Sequence, residues 1–97
     1  MIRSFADTGT EDIFNGVESK LARKKCPFSL RRIAIRKLDQ LDSVIQLTEL
    51  RIPPGNRFEA LRGDREGQYS IRINEQYRIC FSWTEFGPID VEIVDYH

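Results

Sequence analysis

The sequence has few of the residues that usually bind metal ions or form disulfides. Its 97 residues include one histidine, His97, and two cysteines, Cys26 and Cys80. Two separated cysteines do not form the disulfide framework of a small secreted protein, and together with one histidine they do not match the ligand spacing of a zinc site. We therefore expect reduced thiols in the cytoplasm, no metal and no cofactor.

Long hydrophobic runs and an excess of one charge are also missing. No apolar stretch approaches the roughly 18–20 residues that a membrane span needs, and the opening residues lack the apolar core of a secretory signal. Lys and Arg together number 15, as do Asp and Glu, so the formal net charge is zero. With 40% hydrophobic and 31% charged residues, the composition predicts one soluble globular domain over residues 1–97.

The neutral total hides a strongly basic segment. Between Lys20 and Lys37 there are eight basic residues and no acidic one. Such a segment produces a positive field that extends over about one Debye length, ~8–10 Å. It could bind the phosphates of a nucleic acid, contact an acidic protein or a membrane surface, or simply balance acidic residues elsewhere in the chain.

The first half of the chain has the periodicity of helices. Apolar residues at helical spacing predict a first helix over roughly residues 9–22, with Thr8 as its N-cap and Glu11 completing a capping box. After the break at Cys26-Pro27, Ser29 is expected to cap a second helix with a basic outer face. The apolar stripe of that helix is Leu30, Ile33, Ala34, Leu38, Leu41 and Ile45.

From residue 57 onward, apolar residues alternate with polar ones, as in strands that bury one face. Arg57–Arg62 is one strand candidate, and Ile2–Phe5 is another, shorter one. Three further strands present apolar residues at every second position: Tyr69, Ile71 and Ile73; Tyr77, Ile79, Phe81 and Trp83; and Ile89, Val91 and Ile93. We therefore expect an α+β fold with two N-terminal helices packed on an antiparallel β-sheet.

The same alternation places two arginines together on the open face of the sheet. A three-residue turn that pairs Ile71 with Ile79 puts Arg72 directly opposite Arg78. Because like charges in that position are unfavourable, the pair needs either a carboxylate, for which Glu92 has the right parity, or a bound anion such as phosphate.

The last two residues are predicted to lie on or near this arginine face. Tyr96 shares the parity of the arginines, and His97 follows it. A tyrosine can stack on a base or donate a proton, and a histidine can act as acid or base near neutral pH. The alternative is an ordinary chain end with no chemical role.

Taken together, these segments resemble the HigB-type toxins, the host-inhibition toxins of the RelE/ParE superfamily. The motifs that carry the resemblance are PPGNRFEALRGD at 53–64, YSIRIN at 69–74, QYRICF at 76–81 and DVEIVDYH at 90–97. The opening MIRSF matches as well. The combination is specific, although no single motif would be, and it covers nearly the whole chain.

The resemblance implies a RelE-like domain and a ribosome-dependent, metal-independent endoribonuclease that cuts mRNA and inhibits translation in the cytoplasm. It also implies the partners: the ribosome and mRNA, a HigA-type helix-turn-helix antitoxin, and operator DNA bound only through the antitoxin complex. No membrane partner is expected.

The resemblance also assigns catalytic residues. Arg78 matches the catalytic arginine of the family, Arg62 matches a lysine, and Tyr96 and His97 match a functional terminal pair. Glu59 stands where some members have a catalytic histidine, so Glu59 and His97 are alternative bases. Because Glu59 and Arg62 are three residues apart, they cannot share one face of a regular strand, and one of them must lie at a strand end or in a loop.

Cleavage by the ribose 2′-OH needs a base, stabilisation of charge at phosphorus and an acid for the leaving oxygen. Arg62 and Arg78 are expected to hold the phosphate oxygens with help from Arg72, and Tyr96 or His97 to supply the proton. Further RNA phosphates are expected to bind the basic residues Lys24, Lys25, Arg31, Arg32, Arg36 and Lys37.

Two other functions fit the same fold. ParE-type relatives inhibit DNA gyrase and lack the RNA-cleaving residues, so Arg62, Arg78 and the terminal pair count against that function. A module without enzymatic activity would instead use the basic helix to bind an acidic protein.

Overall fold

A computed structural model describes residues 1–96, and within them three α-helices precede a four-stranded antiparallel sheet. The helices are α1 (Thr8–Phe14), α2 (Lys20–Lys25) and α3 (Arg31–Ser43). The strands are β1 (Glu59–Ala60), β2 (Tyr69–Arg72), β3 (Tyr77–Thr84) and β4 (Gly87–Asp95), in the spatial order β1-β2-β3-β4. The predicted α+β fold is confirmed.

The N-cap of α1 is one residue earlier than predicted. The carboxylate of Asp7 accepts a hydrogen bond from the backbone N–H of Thr10 at 2.6 Å, and its second oxygen accepts from the Thr10 hydroxyl at 3.0 Å. Aspartate accepts such bonds as well as threonine does, so the predicted capping box of Thr8 and Glu11 is not used.

The predicted single helix over residues 9–22 is in fact two helices. Helix α1 ends at Phe14, and Gly16 has a positive φ of 74°, a conformation that ends helices and favours glycine. Ser19 then starts α2: its hydroxyl oxygen accepts from the N–H of Ala22 at 3.0 Å while donating to Asp12 at 2.7 Å. The break is therefore stabilised by local hydrogen bonds.

The second predicted helix also differs at both of its ends. A 3₁₀ turn over Phe28–Leu30 precedes α3, and no side chain caps α3, so Ser29 is not the cap that was predicted. At the other end, Ile45 lies beyond the helix and is 86% exposed, so it does not belong to the buried stripe.

The register of β2 and β3 is the predicted one. Ile71 pairs with Ile79 and Arg72 pairs with Arg78. The first strand is shorter than predicted, since Arg57–Arg62 contributes only β1. The Ile2–Phe5 candidate is reduced to a single parallel bridge between Phe5 and Val91 at the outer edge of β4.

The hydrophobic core lies between the helices and one face of the sheet. Its fully buried residues include Leu38 and Leu41 from α3 and Ile71, Ile79, Phe81 and Ile93 from the strands. The opposite face of the sheet carries polar and charged side chains. Within the described residues, no helix has the length and apolar character to cross a bilayer.

Candidate active site

Arg78 lies along the open face of the sheet and is held there by two hydrogen bonds. Its Nε donates to the Ser70 hydroxyl at 2.8 Å, and its Nη2 donates to the backbone carbonyl of Arg57 at 2.7 Å. The side chain is only 12% exposed. Because the guanidinium is planar, two directional bonds fix its plane, and its Nη1 group, which has no hydrogen-bond partner within residues 1–96, can donate to an anion.

Glu59 stands beside this guanidinium. Its Oε1 is 3.4 Å from Arg78 Nη2, and its side chain is 55% exposed. The residue is fixed by β1, where it pairs with Ser70 of β2. The carboxylate is therefore next to the cation and also open to solvent, so a substrate can reach it.

Arg62 lies beyond the end of β1, in the loop before a 3₁₀ turn over Gly63–Arg65. This confirms that Glu59 and Arg62 do not share a regular strand. The Arg62 side chain is exposed, and its guanidinium forms no ion pair with any of residues 1–96. The structure thus brings Glu59 and Arg78 together, whereas Arg62 stands at the rim of the site.

Each of the two facing arginines has its own carboxylate. Arg72 Nη2 is 3.8 Å from Glu75 Oε1, and Glu75 is 94% exposed. Of the two alternatives for the arginine pair, neutralisation by Glu92 does not hold, because Glu92 Oε1 is 3.2 Å from Arg65 Nη2. The weak, solvent-exposed pair with Glu75 leaves Arg72 available to a bound anion.

Tyr96 covers the other side of Arg78. The Arg78 guanidinium carbon lies 6.0 Å from the centre of the Tyr96 ring, within the range of a cation–π contact. Burial raises the pKa of the Tyr96 hydroxyl, with a further contribution from Cys80. The phenol therefore keeps its proton at neutral pH and can donate it or a hydrogen bond. The predicted catalytic residue His97 lies outside the described residues.

Sequence reasoning missed two buried residues of this face, Ser70 and Cys80. Both are fully buried although they point away from the core, because the Arg78 side chain and Tyr96 cover them. The alternation of side chains along the strands puts both residues on the same face as Arg78, and this could have identified them from the sequence. Burial raises the pKa of the Cys80 thiol, so it is not a nucleophile at neutral pH. Among residues 1–96, no three His, Cys, Asp or Glu side chains are grouped so as to hold a metal ion.

Comparison with known proteins places the chain in a family. A family model described as the RelE-like toxin of type II toxin-antitoxin system HigB matches residues 3–97. The chain belongs to the HigB family of toxins. Toxin HigB-1 of Vibrio cholerae is 40% identical over 85 residues, which are 88% of this chain and 86% of that protein. An uncharacterized protein of Haemophilus influenzae is 37% identical over 59 residues, 61% of this chain and 58% of the relative.

A solved structure supports the fold of this HigB-family toxin. The YoeB-YefM complex from Staphylococcus aureus contains a chain that superposes with a TM-score of 0.54 at 14% identity, covering 100% of this chain and 98% of that one. At such low identity the likeness shows the RelE-type fold alone. As the toxin of a type II system, the protein has an antitoxin as its partner.

Two residues of the basic segment in this HigB-family toxin are buried. Arg31 is 8% exposed; it forms an ion pair with Glu18 at 3.0 Å and donates to the Cys26 carbonyl at 3.3 Å. Lys37 is also 8% exposed and donates to the side-chain oxygen of Asn56. Their predicted role in binding RNA does not fit these positions, because both cations are committed to contacts inside the protein.

The other four residues of the predicted RNA-binding set are one tethered lysine and three exposed cations. Lys25 Nζ is 3.3 Å from Asp7 and 3.6 Å from Glu92, so it links α2 to the edge of the sheet. Lys24, Arg32 and Arg36 are exposed. These three are the members of the predicted set that can meet a large anionic partner.

Proposed function

We propose that this HigB-family toxin is an endoribonuclease that cuts mRNA on the ribosome and thereby inhibits translation. The observation that carries the proposal is the anchored guanidinium of Arg78, set between a carboxylate, Glu59, and a protonated phenol, Tyr96. An oriented cation flanked by a candidate base and a candidate acid is what phosphodiester cleavage by an internal nucleophile requires.

The proposed reaction uses the 2′-OH of the nucleotide before the cut. Glu59 or His97 removes the 2′ proton, and the 2′ oxygen attacks phosphorus and forms a 2′,3′-cyclic phosphate. The bond to the 5′ oxygen breaks, and Tyr96 or His97 gives that oxygen its proton. Arg78 stabilises the charge that develops on the phosphoryl oxygens, assisted by Arg62 at the rim and by Arg72. No metal ion takes part in this scheme, because the arginines supply the positive charge.

The ribosome provides the setting in which mRNA reaches this site. The exposed cations Lys24, Arg32 and Arg36 bind ribosomal RNA phosphates without reading sequence, as exposed Lys and Arg side chains do. This function requires the toxin to act in the cytoplasm. The antitoxin that neutralises it is of the HigA type, with a helix-turn-helix domain, and the toxin meets operator DNA only through that complex.

The test is cleavage of end-labelled mRNA on purified ribosomes. The toxin is first treated with EDTA and desalted, while Mg²⁺ stays in the ribosome buffer. We expect equal cleavage by treated and untreated toxin, little cleavage of free mRNA, and products that end in a 2′,3′-cyclic phosphate and a 5′-OH. Products with a 5′-phosphate, activity lost with the removed metal, or full activity on free RNA would contradict the proposal.

The same preparation separates the alternative functions. A gyrase inhibitor would block DNA supercoiling by purified gyrase and leave mRNA intact, and a partner-binding module would do neither. Arg78→Ala serves as the matched control for contaminating ribonuclease, because a contaminant would cleave equally well in both preparations.

A further inference from the structure

Arg78 is oriented by a backbone carbonyl that does not belong to the sheet. That carbonyl is on Arg57, which follows a 3₁₀ turn over Pro54–Asn56. Arg57 has φ 45° and ψ 51°, the left-handed conformation that non-glycine residues adopt only when their surroundings require it. The direction of the carbonyl therefore depends on what holds this turn.

The turn is fixed from the helical side of the protein by the buried amide of Asn56. Asn56 is fully buried, and its Oδ1 accepts a hydrogen bond from Lys37 Nζ of α3. Its Nδ2 lies 3.0 Å from Gln40 Oε1, 3.1 Å from the Leu50 carbonyl and 3.3 Å from the Ile52 carbonyl. The Asn56 side chain thus bonds both to α3 and to the loop before the turn, and Asn56 directly precedes Arg57.

We propose that Lys37 and Asn56 are positioning residues for Arg78: they hold the turn so that the Arg57 carbonyl locks the guanidinium on the open face. Within residues 1–96, Lys37 has no hydrogen bond or ion pair with Arg78, Glu59 or Tyr96, and it acts through Asn56 and the backbone of Arg57. This inference rests on the proposed ribonuclease function and adds two buried residues to it. It also gives the buried Lys37 a structural role in place of the phosphate-binding role that its sequence position suggested.

The first experiment compares Lys37→Met with Arg36→Met on ribosome-bound mRNA. Both variants remove one positive charge from α3, but only Lys37 bonds to Asn56. We expect Lys37→Met to lower kcat about tenfold with KM nearly unchanged, and Arg36→Met to raise KM with kcat nearly unchanged. Equal effects on KM from both variants would show that Lys37 acts as an RNA contact, and the inference would be wrong.

A double-mutant cycle asks whether Lys37 acts through Arg78. In an Arg78→Lys background the guanidinium is already gone, so Lys37→Met should reduce kcat no further, by less than about twofold. A full additional tenfold loss in that background would mean that Lys37 acts independently of Arg78, and would overturn the inference.

The second pair of variants tests the backbone of Arg57 itself. Arg57→Gly and Arg57→Val both remove the side chain, but glycine accepts a positive φ and valine resists it. We expect the glycine variant to have at least about ten times the kcat of the valine variant, with both folded by circular dichroism. Equal kcat values would exclude the carbonyl as the orienting group.

A spectroscopic measurement keeps this inference separate from the proposed function. In protein labelled with ¹⁵N-arginine, the Arg78 side-chain resonances, assigned by their loss in Arg78→Lys, report how freely its Nη2 group rotates. We expect slow rotation in the wild type and in Arg57→Gly, and rotation at least fivefold faster in Lys37→Met and Arg57→Val. Fast rotation in the wild type would refute the positioning role. If rotation is slow in the wild type and fast in Lys37→Met, but the wild type cuts no RNA, the ribonuclease proposal would be refuted and the positioning role would stand.

Discussion

Replacing Arg78 by alanine should separate the chemistry of the site from the stability of the fold. On the activity side, removing one preorganised group that stabilises charge in the transition state costs about 10²–10³ in kcat. We therefore expect single-turnover cleavage of ribosome-bound mRNA to fall by at least about 100-fold, and growth arrest on induction to disappear.

The stability cost follows from the contacts that Arg78 makes. Its loss removes the hydrogen bonds to the Ser70 hydroxyl and to the Arg57 carbonyl, each worth about 0.5–1.5 kcal/mol, because water can reach both groups once the covering side chain is gone. The ion pair with Glu59 adds little, because that carboxylate is 55% exposed. Relief from the facing Arg72 offsets about 0.2–1 kcal/mol.

The net destabilisation is therefore between about 0 and 3 kcal/mol, which lowers the Tm of a domain of this size by up to roughly 20 °C. Position on the open face alone suggests no packing cost, and the two hydrogen bonds change that expectation. Arg72→Ala is the control, because it relieves the same repulsion and breaks only a pair with the 94% exposed Glu75, so it should not destabilise the protein by more than about 0.5 kcal/mol. A folded Arg78→Ala protein that still cleaves within about threefold of the wild-type rate would refute the assignment of Arg78.

Four further perturbations, the first with its own control variant, test the rest of the site. The double variant Arg32→Gln, Arg36→Gln should weaken ribosome binding and make the plot of log affinity against log salt shallower by about 0.7–0.9 for each phosphate that is no longer bound. The control Lys25→Gln, which breaks the ion pairs with Asp7 and Glu92, should instead lower the Tm. An unchanged salt slope in the double variant would show that these exposed cations do not contact the ribosome. Because burial raises the pKa of Tyr96, Tyr96→Phe should lower single-turnover cleavage by a constant factor between about pH 6 and 9, where the phenol stays protonated throughout. If His97 is the acid, the rate of wild-type cleavage should fall as pH rises through the pKa of His97, and the rate of His97→Gln should not show this fall. A fall of the same size in His97→Gln would exclude His97 as the acid. Deleting Tyr96 and His97 should abolish cleavage without unfolding the protein. The deletion should also make the buried thiol of Cys80 react with a thiol reagent about tenfold faster, while Cys26 in the core stays protected. An unchanged reaction rate of Cys80 would mean that Tyr96 does not cover this thiol.

The part of the fold that could be predicted is the part with a strict repeat. Alternation of period two determined that Ile71 and Ile79 face the core, and that requirement also fixed Arg72 opposite Arg78. A shift of one residue in the pairing of a strand with its neighbour would have turned every apolar side chain of that strand to the open face. The arginine pair of the candidate site was therefore predictable from the burial of its neighbours.

The helical half was less predictable because its breaks depend on single hydrogen bonds. Asn15-Gly16 is a known signal for the end of a helix, but the apolar residues at Val17 and Leu21 continued the helical spacing past it. In the structure both of these residues are about half exposed, at 48% and 49%. Spacing without burial was the misleading signal.

The roles of the basic residues could not be read from the sequence at all. Lys37 is buried because Asn56, 19 residues away, supplies an acceptor, and Arg31 is buried because Glu18, 13 residues away, supplies a carboxylate. Charge counting treats such residues and the exposed Arg36 alike. Only the tertiary partners distinguish a cation that stabilises the fold from one that can meet RNA.

The bridge between the N-terminal segment and β4 has a consequence for when the protein becomes active. The N–H of Asp90 donates to the hydroxyl of Ser4, 86 residues away, and the N–H of Val91 donates to the Ser4 carbonyl. During synthesis at about 5–20 residues per second, the first segment has no strand to pair with until β4 has been made. The residues on either side of Arg78 are Glu59 of β1 and Tyr96, which directly follows β4, so the candidate site is completed by the same late step. Under the proposed ribonuclease function, a protein built this way gains its cleaving activity only after β4 has left the ribosome.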